Sequence, residues 1–115
     1  MYKFVLAAYI NDPFFCAKLA ISCDSIGVGL IFPDSSEDCN HSDCILLDLD
    51  DQKIDAFQIV KSSLINSEII IGLTQDLSKK IHTRAIKSGF SIVFPKNYFC
   101  KNLSKITNHL SVKIK

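Results

Sequence analysis

The chain carries five short apolar runs, and none of them alternates strictly between apolar and polar positions. Near-continuous apolar runs of this length are typical of strands that helices cover on both faces. The runs predict five buried strands, at residues 4–9, 28–32, 44–49, 68–73 and 90–94.

Segments with helical spacing of apolar residues separate most of these runs. The predicted helices span residues 13–23, 55–64 and 97–110, with a further helix between Asp76 and Gly89. The apolar stripes that should face the sheet are Phe14, Phe15, Leu19 and Ile21; Ala56, Ile59, Val60 and Leu64; Leu77, Ile81, Ala85 and Ile86; and Phe99, Leu103, Ile106 and Leu110.

Two of these helices carry terminal signals. Asp12 can accept hydrogen bonds from the free N–H groups of the first helix, and Pro13 suits its first position. Asp76 is the predicted N-cap of the third helix, and Gly89 suits the left-handed conformation at its C-terminal end.

Strands and helices alternate along the chain apart from one polar link. Such alternation implies right-handed crossovers and a parallel sheet. The link at residues 33–43 has no apolar stripe, so the second helix should be short or missing. The sequence therefore predicts one α/β domain over residues 1–115, built on a five-stranded parallel sheet in a doubly wound topology.

Composition narrows the functional classes. The 115 residues suit one domain, and 48% hydrophobic with 22% charged residues is an ordinary globular balance. Lys plus Arg (13) nearly cancels Asp plus Glu (12), which gives no sign of a polyanionic or membrane partner. With no bilayer-length apolar run and no secretory signal, we expect a cytoplasmic protein. The five cysteines include no CxxC pair, so we expect reduced thiols.

Chemically useful side chains lie at the ends of three predicted strands. Asp48 and Asp50 lie at the end of the third strand, Thr74 follows the fourth, and Lys96 comes shortly after the fifth. Ligands of open parallel sheets collect at the carboxyl ends of the strands, so these groups should converge. A carboxylate, a hydroxyl and an ammonium together suit a phosphoryl group.

The order and placement of these residues resemble the receiver domain of two-component response regulators, a flavodoxin-like fold. The resemblance rests on residues 46–50, 71–74 and 89–96 and extends over nearly the whole chain. It implies that Asp48 is the phosphoacceptor, Thr74 the switch hydroxyl and Lys96 the phosphate contact. It also implies Mg²⁺, held by the phosphoacceptor and acidic residues after the first strand.

The loop after the first strand departs from the family pattern. The expected acidic pair falls on Ile10 and Asn11; isoleucine cannot ligate a metal, and asparagine offers only a neutral oxygen. Asp12 is left as the metal-ligand candidate beside Asp48, although it also suits the N-cap. Asn11 and Asp12, with Asp50, therefore form a degenerate acidic pocket.

Three hypotheses of function stay open. The first is a non-enzymatic atypical receiver that signals by protein–protein interaction without a cofactor. It is suggested by the incomplete acidic pocket and by Val93, which replaces the family's coupling aromatic residue. The second is a working phosphoacceptor modified at Asp48, with Asp12 or Asp50 helping to hold Mg²⁺. The third, a small flavodoxin-like nucleotide binder or enzyme, would need a Gly-rich loop where Ile10-Asn11-Asp12-Pro13 has no glycine.

The resemblance places the interaction surface on the last helix, strand and helix, at residues 77–110. Phe94, Tyr98 and Phe99 are the candidate apolar anchors there. The implied partners are a histidine kinase, a phosphotransfer protein, an output domain, or a second copy in a homodimer, with no membrane. The resemblance leaves open whether the chain stands alone or is the N-terminal part of a DNA-binding regulator, and nucleic acid is expected only through such an output domain.

Overall fold

The computed structural model describes residues 4–32, 42–51, 56–61 and 69–114, without the side chains of residues 61 and 111–114. The predicted five-stranded parallel sheet is confirmed, with strand order β2-β1-β3-β4-β5. Its strands are β1 Val5–Tyr9, β2 Gly29–Ile31, β3 Cys44–Asp48, β4 Ile69–Thr74 and β5 Ile92–Pro95. The prediction of a short or missing second helix falls on residues 33–43, most of which lie outside the described residues.

Five helical segments lie within the described ranges. They are α1 Pro13–Ile26, α2 Ala56–Lys61, α3 Lys79–Ser88, α4 Lys96–Lys101 and α5 Leu103–Ile114. The single helix predicted at residues 97–110 is thus two segments that meet at Asn102, whose φ of −114° departs from helical values. The Asn102 N–H still donates to Tyr98 O and the Ile106 N–H to Asn102 O, both at 3.0 Å, so Asn102 is hydrogen-bonded to both segments. In the described ranges, no helix has both the length and the apolar character that crossing a bilayer requires.

Two of the predicted caps are confirmed and one is wrong. Asp12 caps α1, and Gly89 ends α3 with a φ of 116°. The N-cap of α3 is Ser78, not Asp76: Ser78 is extended, and its Oγ accepts a hydrogen bond from Ile81 N–H at 3.2 Å. Ser and Asp suit this role about equally, so the residue type alone could not place the first turn.

Apolar side chains fill both faces of the sheet. Leu6, Ala8, Leu46, Ile71 and Leu73 belong to a core cluster with residues of α1, α4 and α5. The alternate strand positions contribute to a second cluster, which α2 and α3 cover: Ala7, Tyr9, Ile45 and Leu47. Helices on both faces explain why the strand sequences are apolar without alternation.

The whole predicted stripe of Phe99, Leu103, Ile106 and Leu110 is buried, whereas α1 and α3 pack narrower stripes than the sequence predicts. In α1, Phe15, Leu19 and Cys23 are buried, whereas Phe14 is 83% and Ile21 72% exposed. Residues advance by about 100° around a helix, so Phe14 and Ile21 leave the face that Phe15 and Leu19 define. The predicted inward positions of Leu77 and Ile86 are likewise wrong, because both side chains are exposed. Leu64 lies outside the described residues.

Candidate functional site

Asp48 is the last residue of β3, and only 4% of its side-chain surface is exposed. Its Oδ1 accepts a hydrogen bond from Asp50 N–H at 2.9 Å, and its Oδ2 accepts one from Lys96 Nζ at 3.0 Å. Burying a carboxylate is costly unless it is paired and hydrogen-bonded. These two contacts compensate for that cost at the carboxyl edge of the sheet.

Lys96 begins α4 directly after β5, and the pairing of Thr74 with Pro95 fixes its place at this edge. Its Nζ lies 3.0 Å from Asp48 Oδ2 and 3.3 Å from Asp50 Oδ2. Burial opposes the positive charge, but the hydrogen bond and charge of Asp48, followed by those of Asp50, outweigh burial and raise the pKa of Lys96. Lys96 is therefore a cation shared by two carboxylates.

Asp50 lies in the turn after β3 and binds groups from two other segments. Its Oδ1 accepts from Thr74 Oγ1 and its Oδ2 from Gln75 N–H, both at 2.7 Å. Burial opposes the ionisation of Asp50, but hydrogen bonds from Thr74 and Gln75 and the charge of Lys96 hold its pKa below the ordinary value. One carboxylate thus joins the ends of β3, β4 and β5.

The loop after β1 contributes little to this network. Ile10 is buried and Asn11 is exposed. Asp12 Oδ1 accepts hydrogen bonds from the N–H groups of Phe14 and Phe15 at 3.1 and 3.2 Å, so Asp12 serves the start of α1.

A magnesium ion needs several hard oxygen ligands in near-octahedral geometry. The two predicted ligands already have other partners. Asp48 accepts hydrogen bonds from Lys96 and from Asp50 N–H, and Asp12 caps α1. Among the residues that the structure describes, no three His, Cys, Asp or Glu side chains are grouped as a metal site requires. The donors present at this edge therefore do not fit Mg²⁺.

Phe94, Tyr98 and Phe99 do not form one exposed cluster. Tyr98 is 51% exposed and stacks on the half-buried Phe94, with ring centroids 5.8 Å apart and planes 13° apart. Phe99 is fully buried, so its predicted role as an exposed anchor is wrong. A cavity of about 400 Å³ opens beside Tyr98, with the apolar side chains of Ile92 and Ile106 in its lining. We call the surface formed by Phe94, Tyr98 and this cavity the aromatic face.

The described cysteines add no second reactive site. Cys16, Cys23, Cys44 and Cys100 are free thiols, and Cys39 lies outside the described residues. Burial raises the pKa of each of these four thiols, that of Cys23 to about 12. A thiol that stays protonated at neutral pH is a poor nucleophile.

The structure brings together Asp48, Asp50, Thr74 and Lys96, and it leaves Asn11 and Asp12 outside their hydrogen-bond network. Sequence reasoning missed the Gln75 N–H and the central position of Asp50. A signal was present, because aspartate often accepts a hydrogen bond from the backbone N–H two residues on. The Asp48–Asp50 turn is of this kind and carries the second carboxylate back to the sheet edge.

Solved structures share this fold over nearly the full chain. A two-component response regulator from Clostridium difficile superposes with a TM-score of 0.82 at 16% identity, covering 97% of this chain and 98% of that one. The signal receiver domain of a DNA-binding response regulator from Colwellia psychrerythraea 34H gives a TM-score of 0.71 at 18% identity, covering 91% and 98%. A response regulator from Hahella chejuensis gives 0.69 at 18% identity, covering 95% and 90%.

The relationship to known proteins is visible in the structure but not in the sequence. The sequence matches no protein-family model and no curated protein. The structural likeness establishes the fold: the chain has the fold of a response-regulator receiver domain, as the sequence predicts.

Proposed function

We propose that the chain is an atypical receiver that acts in signal transduction by binding other proteins, without Mg²⁺-dependent phosphorylation of Asp48. One observation carries the proposal. At the carboxyl edge of the sheet, Lys96 contacts both Asp48 and Asp50, and Thr74 donates a hydrogen bond to Asp50. The charged groups at this edge are therefore already paired with one another.

The electrostatics of this edge support the proposal. A phosphoryl group on Asp48 would add negative charge beside Asp50, where the single positive charge of Lys96 already faces two carboxylates. A divalent cation normally offsets such charge during phosphoryl transfer. The loop after β1 offers Ile10 and Asn11 at the positions where carboxylates would be needed.

The proposed docking surface is the aromatic face. Tyr98 supplies an exposed ring beside an apolar cavity, an arrangement that suits an anchor in a protein interface. The first occupant we propose is a second copy of the chain. A histidine kinase, a phosphotransfer protein or an output domain is the other class of partner.

A phosphoacceptor role for Asp48 is the alternative. The 3.0 Å contact between Asp48 Oδ2 and Lys96 Nζ favours it, because a cation beside the attacking carboxylate could contact the transferred group. The nucleotide-binding alternative finds no comparable support among the described residues.

An amide NMR titration with Mg²⁺ and then beryllofluoride separates the two roles. We expect no saturable change at Asp48, Thr74 or Lys96, because the donor set does not fit the metal. Asp48→Ala is the control, since it removes the only proposed acceptor and must itself give a flat response. Shifts that cluster at these residues in the wild type and vanish in Asp48→Ala would establish the phosphoacceptor role instead.

A further inference from the structure

Charge is distributed unevenly along the chain, although Lys plus Arg (13) and Asp plus Glu (12) nearly balance. Residues 1–76 contain all of the Asp and Glu residues, whereas residues 77–115 contain nine Lys and Arg residues and no acidic one. The small net charge therefore conceals a strongly basic C-terminal third. Such an asymmetry indicates a polyanionic partner that the total charge does not reveal.

Four of these basic residues lie on α3, which has no acidic residue in its ten positions. Side chains at i, i+4 and i+8 follow one another along one side of a helix, about 6 Å apart. Two such series run side by side on α3 and line one open depression. They are Lys79, Thr83 and Lys87, and Lys80, Arg84 and Ser88. We call this surface the basic stripe.

The cations of the basic stripe are available to a partner, because its Lys and Arg side chains are all exposed. Wherever the structure describes the chain, the ion pairs belong to Lys96 and not to the basic stripe. Arg84 Cζ lies over the ring of Phe57 in α2, 3.9 Å from the ring centroid. This contact positions the guanidinium without using its N–H donors, which suit phosphate oxygens.

An anionic membrane does not fit the basic stripe. A helix that lies on a membrane buries a free apolar face among the lipid headgroups. The apolar side of α3 is turned to the sheet, where Ala85 is fully buried. Within Lys79–Ser88, all of which the structure describes, Ile86 is the one exposed apolar side chain. One side chain offers too little apolar surface to anchor the helix in lipid.

A nucleic acid fits the basic stripe better than an acidic protein segment does. The centre of a protein interface is depleted in lysine and is built around aromatic or other large anchors. The six residues of the basic stripe include no such anchor. Proteins hold the phosphate oxygens of nucleic acids with Lys, Arg, Ser and Thr side chains, among others. The basic stripe consists entirely of these four residue types.

We propose that the basic stripe binds the phosphate backbone of a nucleic acid without reading its sequence. Nucleic acid then meets this domain directly and not only through an output domain. The basic stripe lies on the layer of α2 and α3, whereas the aromatic face belongs to the layer of α1, α4 and α5. The proposal therefore goes beyond the proposed function and does not rest on it.

Fluorescence anisotropy of a labelled DNA duplex of about 20 base pairs, at salt concentrations from about 20 to 200 mM, tests the proposal. The logarithm of the association constant should fall linearly with the logarithm of the salt concentration, with a slope of about −0.9 for each phosphate neutralised. The four cations of the basic stripe predict a slope of about −3.6. The variant Lys79→Gln/Lys80→Gln/Lys87→Gln should bind at least about tenfold more weakly at low salt, with a slope of about −0.9.

The variant Lys18→Gln/Lys101→Gln/Lys105→Gln is the matched control, because it removes the same charge from exposed positions on the other layer. It should keep the slope of the wild type. Far-UV circular dichroism checks that both variants are folded. A single-stranded RNA of the same length distinguishes the two sources of phosphate, with an expected slope of about −0.7 per contact. Binding of either nucleic acid through the basic stripe supports the proposal.

The proposal is overturned if the wild type binds neither nucleic acid at about 20 mM salt, or binds the duplex with a slope flatter than about −2. These two results need no variant, so a variant that does not fold leaves the test intact. Equal losses in the stripe variant and the matched control would show that net charge, and not the basic stripe, drives binding. Stripe-dependent binding of polyglutamate or of phosphatidylserine vesicles that is tighter than that of the duplex would assign the surface to an acidic protein or to a membrane instead.

Discussion

Replacing Lys96 by methionine should remove the charge that holds the carboxyl edge of the sheet together. Methionine keeps an unbranched apolar stem, so the variant isolates the ammonium from the packing around it. The side chains of Lys96 and Asp48 expose only 12% and 4% of their surface, so their 3.0 Å contact is close to a buried ion pair. Asp50, at 36%, remains within reach of water.

These exposures set the expected magnitude. Removing one partner of a buried ion pair costs about 3–5 kcal/mol, because the other charge is left uncompensated. Since Lys96 is not fully buried and Asp48 keeps the hydrogen bond from Asp50 N–H, we expect the lower end, about 3 kcal/mol. That is a large share of the roughly 5–15 kcal/mol that stabilises a domain.

The pH dependence of the free energy of unfolding provides a second test of this prediction. The pKa of Lys96 is raised on folding, so its contribution is present below its ordinary value of 10.5 and is lost as the pH rises through the folded value. The pKa of Asp50 is lowered, so its contribution is present above 3.8 and is lost as the pH falls through the folded value. The difference between wild type and Lys96→Met should therefore be largest near neutral pH and shrink towards strong alkali.

Urea unfolding followed by far-UV circular dichroism measures this difference, since the chain has no tryptophan to report by fluorescence. The matched control is the double variant Asp48→Asn/Lys96→Met, in which no uncompensated charge remains at position 48. We expect it to recover a large part of the loss, at an unchanged slope with urea. A cost of Lys96→Met below about 1 kcal/mol, as for a surface pair, would refute the reasoning, as would a double variant no more stable than the single one.

Three further substitutions test the aromatic face and the packing of the core. If the chain dimerises through the aromatic face, Tyr98→Ala should abolish the concentration dependence of its sedimentation. Phe14→Ala truncates another exposed ring and should leave this dependence intact. Equal effects of the two substitutions would contradict a dimer interface at the aromatic face. Phe99→Ala should instead cost about 3–5 kcal/mol in urea unfolding, because it empties a buried site. Gly89→Ala should cost more than Gly27→Ala by thermal melting: both have positive φ, but a methyl at Gly89 would lie 2.9 Å from a valine methyl group and one at Gly27 meets nothing within 4 Å. Equal losses at the two glycines would show that the contact is unimportant.

The parallel sheet and the meeting of Asp48, Thr74 and Lys96 at one edge were predictable from the alternation of strands and helices. Parallel strands bring their carboxyl ends to the same side, so residues that follow strands converge whatever their neighbours. The arrival of Asp50 at the same edge was also expected, but its central position, bound to both Thr74 and Gln75, was missed. It depends on a turn whose direction is set by the hydrogen bond between Asp48 and the Asp50 N–H.

The sequence predicted only in part which aromatic side chains are buried. Phe99 belongs to the stripe with Leu103, Ile106 and Leu110, and that spacing alone assigns it to the core. Its neighbour Tyr98 is about 100° away around the helix and faces out. The choice of Phe99 as an exposed anchor ignored this spacing, and Phe14 was placed inward on its apolar character although Phe15, its neighbour, is the ring that the structure buries.

The strand order has a consequence for assembly during synthesis. β1 is made first, β2 pairs on one side of it and β3 on the other, and β4 and then β5 extend the sheet beyond β3. Each emerging strand thus finds its partner already made, and none must be inserted between two finished neighbours. The bond between Lys96 and Asp48 can form only after β5 has docked. The charged edge is therefore the last part of the sheet to close, and only the rest of α4 and α5 remain to be packed after it.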